Sequence, residues 1–113
     1  MSDAIRITPA PGTWVVRASG AVLGESRNAL EMTEGGYPPV IYFPRADIAT
    51  AFLDRTATTT YCPHKGTASH YSIIGKSRSI ADAAWSYEAP KPGMERIAGH
   101  LAFYPGKATV ERV

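Results

Sequence analysis

The sequence contains a single cysteine, Cys62, among its 113 residues. One cysteine cannot form an intramolecular disulfide, and the paired cysteines that usually anchor structural zinc are missing as well. The composition therefore gives no sign of an oxidising compartment. It also argues against a small domain held together by disulfides or by a zinc knuckle.

Long apolar runs and clusters of one charge are missing too. The N-terminal segment MSDAIRITPAPG has no apolar stretch typical of a signal peptide, and no run approaches the length of a membrane span. The 12 Lys and Arg residues are spread along the chain, and the formal net charge is only +2. Nucleic-acid binders more often show a basic stripe with interleaved aromatic residues. We therefore expect a cytoplasmic protein without nucleic-acid or membrane partners.

Familiar catalytic and nucleotide-binding motifs are also absent. The sequence has no G-x-G-x-x-G, no P-loop, no H-E-x-x-H and no G-x-S-x-G. Binding of a mononucleotide or dinucleotide through these loops is therefore unsupported, and we predict no cofactor.

Proline and glycine, by contrast, are common and lie between short apolar runs. The 9 prolines and 10 glycines interrupt these runs as turn residues do in a β-rich chain. The runs TWVVRA and AVLGES, linked by Ser19-Gly20, predict a β-hairpin. The apolar run VIYF predicts a strand covered on both faces, and EGGYPP before it predicts a turn.

The remaining segments predict further strands and short helices. RADIATAFLD favours one short helix with Asp47 as its N-cap, and GMERIAGH favours one helical turn. LAFY and ATVERV predict a final hairpin around Pro105-Gly106. We expect a single mainly β domain over residues 13–113, built of antiparallel sheets with one or two short helices. Residues 1–12 are expected to form an extended lead-in.

The densest group of reactive side chains lies in TYCPHKGTASHY, residues 60–71. Cys62, His64 and His70 of this segment make four zinc ligands only if the distant His100 is added. The one-residue gap between Cys62 and His64 is unlike a zinc knuckle, so we predict no metal site.

The same segment also favours a turn that binds an anion. Pro63 restricts Cys62 to an extended backbone, and Gly66 can take a left-handed conformation. Such a turn can direct backbone N–H groups and the Lys65 ammonium toward one small anion. A cation beside Cys62 would also favour the thiolate, with His100 as a base. The alternative for Cys62 is an inert, buried thiol.

Aromatic residues predict a second wall for a site. In SIADAAWSY, Trp85 and Tyr87 fall on one face of a strand and Asp82 on the other. The aromatic pair either packs in the core or lines a ligand cleft. Asp82 either pairs with a cation or is solvated. His100 precedes the strand LAFY, where it is either a site residue or bonded to a backbone carbonyl.

Four ordered segments of the chain resemble one known family. YFPRADI, CPHKGTAS, AAWSYEAP and IAGHLAFY occur in the order and spacing of the family described as domain of unknown function 427, sometimes labelled nucleotidyltransferase-like. The resemblance spans Trp14 to the C-terminus. It implies coiled antiparallel sheets similar to the Mss4-like fold. The family signature falls on ten positions of this chain: Arg45, Cys62, Pro63, Lys65, Gly66, Trp85, Tyr87, Gly99, His100 and Tyr104.

Two histidines depart from the family pattern. His64 stands where an aromatic residue is usual, and His70-Tyr71 stand where Tyr-Trp is usual. His64 and His70 are therefore poor candidates for a mechanism that the family shares, and His100 is the better histidine.

Three hypotheses for function follow. The first is a binding cleft for a small anionic ligand, an enzyme of unknown reaction included, with His100 nearby and a lining of Arg45, Lys65, Gly66, Trp85, Tyr87 and Tyr104. The second is a thiol enzyme with Cys62 as nucleophile and His100 as base. The third is a structural or partner-binding domain. We expect a monomer or a homodimer, and we favour the cleft.

Overall fold

The computed structural model describes residues 4–113. These residues contain ten β-strands and three single-turn 3-10 helices. The strands are β1 (Ile5–Pro9), β2 (Trp14–Ala18), β3 (Ala21–Ser26), β4 (Leu30–Glu34), β5 (Tyr37–Tyr42), β6 (Leu53–Cys62), β7 (Gly66–Ile74), β8 (Ser79–Ser86), β9 (Ala102–Phe103) and β10 (Thr109–Arg112). The 3-10 helices are Arg45–Asp47, Thr50–Phe52 and Glu95–Ile97. Among the described residues, no helix is long and apolar enough to cross a membrane.

The strands form three antiparallel sheets. The first sheet has the order β1-β4-β5, the second β10-β2-β3 and the third β6-β7-β8-β9. The predicted fold class, mainly β with antiparallel sheets and short helices, is confirmed.

The β2–β3 hairpin was correctly predicted. Its two turn residues, Ser19 and Gly20, have φ of 52° and 76°. Positive φ at both positions is what a type I′ turn requires, and the twist of that turn suits paired strands.

Residues 5–9, which the sequence analysis assigned to an extended lead-in, form β1. This strand pairs with β4 along its whole length, from Ile5 opposite Glu34 to Pro9 opposite Leu30. The sheet structure therefore begins before residue 13. Residues 1–3 of the predicted lead-in lie outside the described residues.

The turn predicted for EGGYPP is shorter than expected. Only Gly35 and Gly36 form it, and Pro38 and Pro39 belong to β5. Because β5 is an edge strand of the first sheet, the missing N–H groups of the prolines cost no ladder hydrogen bond on the outer side.

The short helix predicted for RADIATAFLD is wrong in its length and type. Two separate 3-10 turns form instead, because Ile48 between them is extended and bridges Gly24 of β3. The Asp47 carboxylate accepts a hydrogen bond from Ser26 at 2.6 Å and does not cap a helix.

The predicted final hairpin is also wrong. β9 pairs with β8 in the third sheet, whereas β10 pairs with β2 in the second. The loop around Pro105 and Gly106 therefore carries the chain from one sheet to another.

Two hydrophobic clusters form the core, and the third sheet contributes to both. The larger joins the second and third sheets through Val16, Leu23, Phe43, Ile73, Leu101 and Phe103, among others. The smaller joins the first and third sheets through Met32, Tyr42, Ala68, Tyr87, Ile97 and Ala102. Tyr42 lies in the smaller cluster and Phe43 in the larger one, so VIYF is covered on both faces, as predicted.

Candidate functional site

A cavity of about 220 Å³, here called the Lys65 cavity, lies between the β4–β5 hairpin and the third sheet. Its wall contains four of the residues predicted to bind a ligand, which are Lys65, Trp85, Tyr87 and Tyr104. The lining is completed by Met32, Glu34, Tyr37, Pro38, Val40, Tyr42 and Thr60. Residues that are distant in sequence therefore converge on one concave, largely aromatic surface.

The turn between β6 and β7 places Lys65 in this cavity. The Lys65 N–H donates to the Cys62 carbonyl at 3.2 Å, and the Lys65 carbonyl accepts from the Lys91 N–H at 3.0 Å. Gly66 then takes φ of 108°, which side chains other than that of glycine rarely allow. The predicted geometry of the turn is present, and it directs the lysine inward.

The Lys65 side chain is only 9% exposed, and its ammonium has a carboxylate partner. Nζ donates to Glu34 Oε1 at 2.8 Å and lies 5.9 Å from the centre of the Tyr87 ring. Burial, the largest influence, would lower the pKa of Lys65, but the hydrogen bond to Glu34 and the charge interactions with Cys62, Glu34 and Tyr87 together raise it. Lys65 is therefore a buried cation at neutral pH.

Glu34 was missed by the sequence analysis. It is the last residue of β4, directly before the Gly35-Gly36 turn, and its side chain is 23% exposed. Side chains on a strand alternate between faces, so Glu34 shares the face of the buried Met32 two residues earlier. A carboxylate in phase with a buried methionine is the signal that could have identified it.

Aromatic side chains form the opposite wall. The Trp85 indole N–H donates to the Tyr42 hydroxyl at 3.2 Å, and the rings of Trp85 and Tyr104 lie 4.5 Å apart. Burial raises the pKa of Tyr42, Tyr87 and Tyr104. All three hydroxyls are protonated at neutral pH, as tyrosines ordinarily are, and can donate hydrogen bonds.

His70, which the sequence analysis set aside, supports this wall from behind. Its ring is 2% exposed and stacks on Tyr104 at 5.9 Å, and its Nε2 lies 2.9 Å from the Tyr104 hydroxyl. Nδ1 has no hydrogen-bond partner among residues 4–113. His70 thus positions Tyr104, although it departs from the family pattern.

Arg45 lies on the other face of the third sheet. Its guanidinium contacts Tyr71, Ser86 and Glu88, which alternate along the chain with the cavity side of β7 and β8. Nη2 lies 2.9 Å from Glu88, and Nε donates to the Gly99 carbonyl at 3.0 Å. The predicted ligand-binding role of Arg45 therefore has no support in the cavity.

The carboxylate of Glu88 is the centre of that second cluster. It accepts hydrogen bonds from Tyr71 and Ser69, and Arg55 lies 3.3 Å away. Burial alone would raise the pKa of Glu88, but the hydrogen bond from Tyr71 and the nearby arginine charges lower it below its usual range. The cluster is a satisfied network that ties β6, β7 and the Gly99 loop together.

Cys62 and His100 do not meet. Cys62 is half-buried and packs against the smaller core cluster, with no hydrogen bond to its thiol from any described residue. His100 Nδ1 lies 3.2 Å from the Ala98 carbonyl, and His100 is not among the cavity residues. Among the described residues, no hydrogen bond joins Cys62 to His100, and His100 does not line the cavity.

No metal centre emerges from the described part of the chain. Among residues 4–113, no group of three or more His, Cys, Asp and Glu side chains is arranged to hold a metal ion. His64 is exposed on the turn. Chemically, the Lys65 cavity offers one buried ion pair, several hydroxyl donors and aromatic surface. These groups are suited to holding a small molecule.

Comparison with known sequences agrees with the motif resemblance. The chain matches no curated protein. Residues 6–113 match the sequence profile of a family described as Domain of unknown function (DUF427). Because this match covers nearly the whole chain, including every cavity residue, the protein belongs to the domain of unknown function 427 family.

Proposed function

We propose that the protein binds a small organic anion in the Lys65 cavity. The observation that carries this proposal is the convergence of one buried ammonium with Trp85, Tyr87 and Tyr104 on a single concave surface. Binding sites for small molecules typically combine apolar or aromatic area with a few polar groups that fix orientation.

The ion pair within the cavity defines how the anion binds. Glu34 Oε1 already accepts one Lys65 proton at 2.8 Å, so an incoming anion beside Glu34 would be repelled by its charge. Glu34 is more exposed than Lys65 and lies next to the flexible-backbone pair Gly35-Gly36. The ligand's anionic group therefore takes the place of the Glu34 carboxylate on Lys65, and Glu34 turns toward water.

The hydroxyl groups and the rings complete the recognition. Tyr87 and Thr60 also line the cavity, and their hydroxyls are the further donors for an oxyanion. Trp85 and Tyr104 supply flat apolar area for the body of the ligand. This arrangement supports binding. The enzyme hypothesis pairs Cys62 with His100, and among residues 4–113 no hydrogen bond joins the two.

A thermal-shift screen against small organic anions and inorganic phosphate tests the proposal. We expect an anion that raises the melting temperature of the wild type to have no effect on Lys65→Met. The same anion should stabilise Glu34→Gln more than the wild type, because the competing charge is gone. Each shift is measured against the variant's own ligand-free melting temperature.

Lys76→Met is the matched control, since it removes the same charge from the exposed β7–β8 turn. Its response should equal that of the wild type. An anion that stabilises Lys65→Met as strongly as the wild type would contradict the proposal. A cytoplasmic location and a monomeric or homodimeric state remain predictions from the sequence.

A further inference from the structure

A second, larger cavity lies beside the Lys65 cavity, where all three sheets meet. Its volume is about 570 Å³, and it is here called the junction cavity. Its wall comes from β2, β4, β5, β8, the end of β9 and β10, together with the loop that joins the last two strands. The two cavities share Val40 and Trp85 as a common wall.

The linings of the two cavities differ in chemistry. The Lys65 cavity contains a buried ion pair and several hydroxyl groups. The junction cavity is lined mainly by apolar side chains, including Trp14, Ile41, Phe103 and Val110, with Glu31 as its one charged residue among those described. Apolar surface of this kind is stabilised when hydrocarbon displaces water from it.

Trp85 connects the two environments. Its indole N–H is hydrogen-bonded to Tyr42 in the Lys65 cavity, while its ring also lines the junction cavity. Along β5, Pro38 and Val40 line the first cavity, whereas Pro39, Val40 and Ile41 line the second, so Val40 belongs to both linings. A ligand anchored at Lys65 would therefore enter the apolar lining where it passes Val40 and Trp85.

We propose that the ligand is an amphipathic carboxylate, with its head group at Lys65 and its hydrocarbon part in the junction cavity. This inference rests on the proposed function and adds the class of ligand to it. Because Val40 and Trp85 line both cavities, one small molecule is favoured over a protein segment as the occupant of the junction cavity.

Isothermal titration with straight-chain carboxylates from butanoate to octanoate tests the inference. Each methylene that enters an apolar site strengthens binding by about fourfold. We expect the dissociation constant to fall by about this factor for each methylene once the chain passes Val40. The alcohols of the same lengths should bind more weakly, because they lack the charge that Lys65 recognises.

Two variants locate the hydrocarbon part. Pro39 is exposed on the edge strand and lines only the junction cavity, so Pro39→Asp places a charge there with little risk to folding. It should flatten the dependence on chain length and leave butanoate binding unchanged. Val110→Glu places a charge on the opposite wall of the junction cavity and should also flatten the dependence on chain length. Pro92→Asp is the control, since Pro92 is exposed and lines neither cavity.

The outcomes separate this inference from the proposed function. Lys65-dependent binding with equal affinity at every chain length would overturn the amphipathic ligand and leave the anion site standing. A length dependence that persists in both Pro39→Asp and Val110→Glu would also overturn it, because the tail would then lie elsewhere. Failure of every carboxylate to bind would overturn this inference, while binding of other anions at Lys65 would still support the site.

Discussion

Lys65 illustrates how burial and a single partner determine what a side chain can do. A lysine that is 9% exposed would be costly as a lone cation, and Glu34 offsets this cost at 2.8 Å. The exposed pair Arg17–Glu111 has the same 2.8 Å separation, but its side chains are 49% and 42% exposed. The two ion pairs therefore differ in interaction energy although their separations are equal, since water screens the charges of the exposed pair.

Removing one member of the buried pair should be more destabilising than removing both. We expect Glu34→Gln to lower the free energy of unfolding by about 2–4 kcal/mol, because it leaves the Lys65 ammonium buried without its counter-charge. Adding Lys65→Met to this variant should restore part of the loss. Urea unfolding of the two single variants and the double variant gives the coupling energy.

Arg17→Met is the control for this cycle. It breaks an exposed pair and should cost less than about 1 kcal/mol. Equal losses in Glu34→Gln and Arg17→Met would show that burial of Lys65 contributes nothing, and the account of the pair given above would fail.

At the scale of elements, the β2–β3 hairpin is specified by its own two turn residues. Ser19 has φ of 52°, a conformation that serine adopts with strain and that asparagine tolerates better. Asn-Gly is also the preferred pair in type I′ turns. The local sequence is therefore suitable for this turn without being optimal for it.

Ser19→Asn should therefore stabilise the protein, by about 0.5–1 kcal/mol, since it relieves the left-handed backbone without removing a core contact. Ser19→Val should destabilise it, because a β-branched residue is strongly disfavoured at positive φ. Thermal unfolding of the two variants measures both effects. A loss of stability in Ser19→Asn would mean that the serine hydroxyl has a role that the turn geometry does not explain.

The elements that could be predicted are those whose signals are local. Ser19-Gly20 sufficed for the hairpin, and the run VIYF sufficed for a strand covered on both faces. The helix expected at residues 45–54 failed because Ile48 pairs with Gly24, a contact that no local pattern contains. The hairpin expected at the C-terminus failed because β10 finds its partner in β2, more than ninety residues earlier.

At the scale of the whole molecule, the candidate site depends on contacts between sheets. Lys65, Trp85 and Tyr87 were predicted from the turn and strand patterns and Tyr104 from the family resemblance, and the packing of the first sheet on the third brings them together. From the sequence alone, Arg45 could not be excluded as a cavity residue. Its place on the opposite face follows only from its partners Ser86 and Glu88, which alternate with the cavity residues Trp85 and Tyr87. The similarity to the Mss4-like fold stays a prediction.

The same packing determines how stability depends on pH. Burial raises the pKa of Tyr42, Tyr71, Tyr87 and Tyr104, and the bond to Glu34 raises that of Lys65 against the effect of burial. Each group therefore holds its proton more tightly in the folded chain than in the unfolded chain. Their contribution is fully present below about pH 10 and is lost as the pH rises toward the folded values.

We therefore expect the free energy of unfolding to be level from pH 8 to about pH 9.5 and to fall steeply above about pH 10. Urea unfolding at a series of pH values measures it. Tyr87→Phe should reduce the slope above pH 10, because one group with a raised pKa no longer titrates. On the acid side, hydrogen bonds from Thr56 and Thr58 lower the pKa of Asp82, and that of Glu88 is lowered as described above, so stability should fall below about pH 4. A free energy that stays constant between pH 9 and 11 would contradict the burial of these hydroxyls.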